Sequence, residues 1–127
     1  MSSLSLSPAG RPALPSLAEL VDTPCAPLRG PAHRLDPASV ASLLQLLPGW
    51  RLEDGAIVAS LRFPDFAAAL SAANHIGALA EAQNHHPDLT VGWGRLTVRF
   101  STHDVGGLSI NDFRAAAKVA RLLAAAG

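Results

Sequence analysis

The chain has 127 residues, 49% hydrophobic and 16% charged, with ten basic and ten acidic side chains. That suits one core-forming domain plus an extension, and the balanced charge leaves no electrostatic footprint for nucleic acid or an anionic membrane. No apolar run approaches the roughly 20 residues that span a bilayer, and the single cysteine, Cys25, cannot form an internal disulfide. A soluble, reducing, cytoplasmic setting is the expectation.

Residues 1 to 33 hold six of the ten prolines and little apolar periodicity, apart from the short SLAELVD at 16 to 22. They read as a Pro/Ser-rich, mostly disordered extension. The start lacks the basic and apolar regions of a secretory signal. Its serines and late first acid, Glu19, faintly resemble a transit peptide. Arg11, however, is the only basic residue before Arg29, so an overlong start or a plain tail is preferred.

The folded domain is expected over 34 to 127. Asp36-Pro37 is an N-cap followed by proline at the first helical position. The helix PASVASLLQLL follows, with Val40, Leu43, Leu44 and Leu47 on one face, and Pro48-Gly49 stops it. A strand begins at Trp50. Asp54-Gly55 is a two-residue hairpin signal, and AIVASLRF returns with Ile57, Ala59, Leu61 and Phe63 on one side. Pro64 opens a second helix reaching about residue 82. Its apolar face is Phe66, Ala69, Leu70, Ala73, Ile76, Gly77 and Ala80, and both Trp50 and Phe66 are expected in the core. Pro87 biases His86 away from helical angles and so ends this helix.

Two further strands follow. DLTVGW places Leu89, Val91 and Trp93 on one side, and RLTVRFS places Leu96, Val98 and Phe100 on one side, with Gly94 at the turn. Trp93 fits the core, an interface or a stacking wall equally well. THDVGGL is a loop. The last helix spans about 110 to 125, with Ser109 as N-cap, Asp112 at N3 in an aspartate form of the capping box, and Leu108 and Phe113 as a hydrophobic staple. The order is α-β-β-α-β-β-α. Hairpin links imply an α+β domain with a four-stranded antiparallel sheet and its helices on one face.

The chemistry-bearing stretch is NHHPD at 84 to 88. His85 and His86 precede one strand of the second hairpin and His103 follows the other. Antiparallel pairing sets those ends side by side, so three imidazoles could share a pocket. Glu81 lies four residues before His85 and, if the helix persists that far, is one turn away and within reach of it, and Asp104 and Asp112 flank the loop of His103. Imidazole, with an ordinary pKa of about 6.5, is suited to giving and taking protons near neutrality. No serine or cysteine has a nucleophile context such as GxSxG. A plain polar loop remains open on these grounds. A zinc site fits less well, because adjacent histidines diverge and ligands on one element sit at alternate or i, i+4 positions. Asp112 has a sufficient structural reason as the N3 residue, which competes with any functional one. His33 and His75 are expected at the surface.

These residues resemble the pterin-4a-carbinolamine dehydratases. The resemblance rests on EAQNHHPD at 81 to 88, WGRLTVRF at 93 to 100, and STHDVGGLS at 101 to 109 followed by NDF. It also rests on the 16 residues between His86 and His103, with Gly49-Trp50 and FPDF at 63 to 66 as weaker matches. It covers the chain from about His33 onward. The resemblance implies a hydro-lyase that dehydrates 4a-hydroxytetrahydropterin to quinonoid dihydropterin in tetrahydropterin recycling and biosynthesis, with no metal and no organic cofactor. It implies His85 and His103 as acid–base residues at the 4a-hydroxyl. His86 would orient the pterin and assist at N5, and Glu81 and Asp112 would be supporting carboxylates. Asn84, His85, His86, Ser101, Thr102, His103 and Asp104 would line the substrate site. It further implies a homodimer or homotetramer, and a functional coupling to an aromatic amino acid hydroxylase. Two departures, Leu89 in place of an aromatic residue and Gly94 in place of an asparagine, touch the pocket wall and turn rather than the histidines. The alternative is a non-catalytic dimerisation cofactor or assembly chaperone on the same fold.

Overall fold

Two tight turns organise the sheet in the computed structural model, which describes residues 13 to 126. Strand β1 (Trp50–Glu53) turns into β2 (Ala56–Arg62) through Asp54 and Gly55, with φ of 49° and 75°. Two successive positive φ values match the twist of a two-residue hairpin, and the Asp-Gly pair supplies them. Strand β3 (Asp88–Gly92) turns into β4 (Arg95–Phe100) through Trp93 and Gly94. Gly94 has φ of 72°, and a Cβ there would lie 3.1 Å from the Phe63 carbonyl. The strand order is β1-β2-β4-β3, antiparallel throughout.

The register sorts the two faces. Ile57 pairs with Phe100, Ala59 with Val98 and Leu61 with Leu96, while Leu89 and Val91 pair with Val98 and Leu96. This is the covered face, and its central residues are buried. The opposite face carries Arg51, Ser60, Arg95, Thr97 and Arg99. Val58 is buried there too, in register between Arg51 and Arg99, as expected where long arginine stems lie over an apolar neighbour.

Three helices cover the apolar face. Helix α2 (Pro37–Leu44) is capped by the Asp36 carboxylate, which accepts from the Ser39 N–H at 2.7 Å. Helix α3 (Phe66–Gln83) is capped in the same way by Asp65. Helix α4 (Ile110–Ala126) is buried at positions 111 to 113, 115 to 117 and 119, so it has neighbours on most sides. The fold class is α+β with a four-stranded antiparallel sheet.

Three expectations change. First, residues 13 to 33 are not an unstructured extension. Leu17–Asp22 forms helix α1, closed by a Ser16/Glu19 capping box, and it packs on α4 with Leu20 buried in the core. The proline content masked a short amphipathic helix whose partner is far away in sequence. Residues 1 to 12 lie outside the described residues. Second, α3 buries Ala69, Ala73, Ile76 and Ala80, whereas Phe66 and Leu70 are exposed. The stripe of small residues faces the sheet, and the two large residues lie beside it. Third, Trp93, expected in the strand DLTVGW, lies in the β3–β4 turn beyond it and is 70% exposed, which removes the core from its three options. Trp50 is half-buried and stacks on Phe100 with centroids 6.0 Å apart.

Candidate active site

The end of α3 determines where the two adjacent histidines point. Asn84 takes a left-handed conformation (φ 51°, ψ 38°) and caps the helix, its N–H donating to the Ala80 and Glu81 carbonyls. Asparagine is one of the few non-glycine residues that accept this geometry readily. The chain therefore leaves the helix one residue before the histidine pair. His86, and not His85, is the partner of Glu81: its Nε2 hydrogen-bonds the Glu81 carboxylate at the surface. The expectation that Glu81 would reach His85 assumed a helix continuing through residue 85.

His85 turns the other way. It is half-buried, and its Nε2 lies 2.6 Å from Asp112 Oδ1. Asp112 is fully buried at the start of α4. Its other oxygen accepts from the Thr102 hydroxyl at 2.7 Å and from the Ser109 N–H at 3.0 Å. An ionised carboxylate can only accept, so Nε2 of His85 carries the proton and Nδ1 is the atom that can exchange one. The imidazole also lies parallel to Phe100, with centroids 5.9 Å apart and planes 9° from one another. One hydrogen bond and one stacked face thus fix both tautomer and ring plane.

Asp112 keeps its expected place at the helix start and also bonds His85. Its carboxylate on the Ser109 N–H is one half of a capping box, while Ser109 Oγ accepts from the Asn111 N–H rather than from N3. The same carboxylate joins the His85 loop to Thr102 at the end of β4.

His85 lines a cavity of about 210 Å³. Among the expected substrate-site residues, Asn84, Thr102 and Asp104 line it as well, whereas His86, Ser101 and His103 do not. His103 sits exposed in a short 3₁₀ turn, 103 to 105, held by the Thr102–Gly107 bridge. Its ring has no hydrogen-bond partner among the described residues. His33 and His75 are exposed and away from this cavity, His75 bonding the Ser71 carbonyl. The described residues contain no group of three or more histidine, cysteine or acidic side chains placed to hold a metal. No helix among them is long and apolar enough to cross a membrane.

Sequence reasoning missed one wall entirely. Residues 25 to 29 line the cavity, together with Gln83 and Asn111. Asn111 is buried, and its side chain makes two bonds to Ala26: Nδ2 donates to the carbonyl at 2.6 Å and Oδ1 accepts from the N–H at 3.1 Å. Gln83 Oε1 accepts from the Cys25 N–H at 2.9 Å. Lys118 Nζ donates to the Leu20 and Thr23 carbonyls at 3.0 and 2.5 Å. Burial pushes the Cys25 thiol above its ordinary pKa and the Lys118 ammonium below its own. The NDF motif contains Asn111, but nothing in the sequence indicates its partner 85 residues away.

The family model of pterin 4 alpha carbinolamine dehydratase matches residues 33 to 122. The chain belongs to this family. It is 48% identical over 100 residues to a protein of Xanthomonas oryzae pv. oryzae (strain PXO99A), covering 77% of this chain and 85% of that one. It is 45% identical over 108 residues to a protein of Stenotrophomonas maltophilia (strain K279a), covering 84% and 93%. Both relatives are provisionally named pterin-4-alpha-carbinolamine dehydratase. A crystal structure described as a transcriptional coactivator/pterin dehydratase from Brucella melitensis aligns with a TM-score of 0.66 at 30% identity, over 70% of this chain and 97% of that one.

Proposed function

We propose that the protein dehydrates 4a-hydroxytetrahydropterin to quinonoid dihydropterin by histidine acid–base catalysis, as a hydro-lyase in tetrahydropterin recycling and biosynthesis. The observation that carries this reading is the His85–Asp112 pair at the cavity, with Nε2 bonded to a buried carboxylate and Nδ1 left to exchange a proton. The reaction breaks the C4a–O bond as a proton reaches the leaving oxygen, which departs as water. The N5 proton is lost, and its electron pair forms the C4a=N5 bond. One group must give a proton and another must take one. His85 and His103 fill these roles at the 4a-hydroxyl. His86, braced by Glu81, orients the pterin and assists at N5. General acid–base catalysis of this kind is worth about 10²- to 10⁴-fold.

The reading includes the expected site residues Asn84, His85, His86, Ser101, Thr102, His103 and Asp104, with Glu81 and Asp112 as supporting carboxylates. His86 and His103 stand outside the cavity walls and would close on bound substrate, since catalytic contacts often tighten only in the complex. It also includes self-association into a dimer or tetramer, supported by the exposed apolar residues Phe66, Leu70 and Trp93, and service to an aromatic amino acid hydroxylase in the cytoplasm. The test is the dehydration rate of the His85→Gln and His103→Ala variants beside the wild type. Both should lose most of the catalysed rate; full activity in both would end the reading.

A second reading, a dimerisation cofactor of other proteins, is favoured by the coactivator description of the Brucella structure. It predicts that a chain with both substitutions still binds its partner.

A further inference from the structure

The cavity at His85 has two sources of wall. Asn84, His85, Thr102, Asp104 and Asn111 lie within residues 33 to 122, the part matched by the family model. Residues 25 to 29 lie before it. This second wall is part of a strap tied on either side of residues 27 to 29. Lys118 holds Leu20 and Thr23, Gln83 holds Cys25, Asn111 holds both polar groups of Ala26, and the Gly30 N–H donates to the Asp104 carbonyl at 3.1 Å. Asn111 and Asp112 are consecutive in the first turn of α4. One holds the strap and the other holds His85, so a single helical turn sets two parts of the cavity wall.

The substrate's chemistry divides in the same way. The pyrimidine ring and the reacting C4a–N5 edge are common to all tetrahydropterins, and the substituent at C6 is what varies. Family-unit residues can serve the common part. The strap carries none of the histidines or supporting carboxylates, so it is the wall free to meet the variable part. From this we infer that the strap Cys25–Arg29 is the specificity-determining wall for the C6 substituent of the pterin, with Asn111 as its positioning residue. Leu28 offers an apolar contact and Arg29 a donor to an oxygenated side chain. The inference rests on the dehydratase reading above.

The test uses the full chain and two substrates, the 6-methyl and the 6-(dihydroxypropyl) 4a-hydroxytetrahydropterins. Arg29→Ala and Leu28→Ala should change the ratio of kcat/KM between the two by about fivefold or more, through KM, with kcat within about twofold of wild type. Asn111→Ala should raise KM for both substrates, because apparent affinity falls with the fraction of chains whose strap is in place. A role confined to folding would lower Tm and leave KM alone. Arg29 is exposed and Leu28 half-buried, so those two variants decide the matter if Asn111→Ala does not fold. An active wild type whose ratio is unmoved by Arg29→Ala and Leu28→Ala overturns the strap proposal alone. A wild type inactive on both pterins overturns the dehydratase reading and the strap proposal with it.

Discussion

Replacing Asp112 with asparagine tests the tautomer argument. The carboxylate accepts from three donors, at 2.6, 2.7 and 3.0 Å. The Ser109 backbone N–H can only donate, so the asparagine oxygen must stay on that side, and the new NH₂ then faces His85 Nε2. An NH₂ group needs an acceptor. The imidazole must therefore give up its Nε2 proton and carry one on Nδ1, and Nδ1 can no longer exchange protons with substrate. Shape and packing are kept, so KM should change little. We expect kcat to fall about 10²-fold, or about 2.7 kcal/mol in the barrier. The loss sits at the low end of the range because His103 and His86 remain. Asp112→Ala is a poorer probe. It leaves the buried Ser109 N–H without an acceptor and should cost about 1–3 kcal/mol of an ordinary domain's 5–15 kcal/mol. Stopped-flow dehydration gives kcat, and nitrogen NMR of labelled histidine reports the tautomer directly. A folded Asp112→Asn protein with wild-type kcat would refute the reasoning.

Other outcomes follow from the same structure. Gly55→Ala should destabilise by about 1–2 kcal/mol in urea unfolding, purely from backbone strain at φ of 75°, because nothing lies within 4 Å of the new methyl; an unchanged midpoint would argue against the hairpin geometry. Glu81→Gln should shift stability by less than about 1 kcal/mol, since both members of its pair with His86 are exposed; a larger loss would mean that the pair is shielded in an assembly. The Cys25 thiol, raised by burial, should react with iodoacetamide more slowly than a free thiol at pH 8, and a rate equal to glutathione's would contradict this. The folded thiol keeps its proton where the unfolded one has lost it. Its contribution to stability is therefore complete below the ordinary thiol value of 9.0 and declines as pH rises above it, which a pH series of unfolding midpoints can follow.

The parts of this fold legible in the sequence were those with local causes. Asp36-Pro37, Asp54-Gly55 and the Ser109–Asp112 helix start each act over two to four residues, and each stands where it was expected. The pairing of the second hairpin also held, because antiparallel pairing follows from short turns, but it brings only His85 to the cavity wall, with His86 and His103 outside it. What escaped notice depends on distant partners. Helix α1 is too short to show strong periodicity and owes its place to α4. The Asn111–Ala26 clamp spans 85 residues. The exchange of partners at the histidine pair, Glu81 to His86 and Asp112 to His85, turns on one left-handed residue, Asn84. Helical spacing alone could only predict the continuation that Asn84 prevents.

The most direct measurement is stopped-flow decay of freshly generated 4a-hydroxytetrahydropterin as a function of protein concentration. The account predicts a first-order rate that rises in proportion to wild-type protein and falls back towards the buffer rate with His85→Gln. A wild-type rate equal to buffer at every concentration would contradict it.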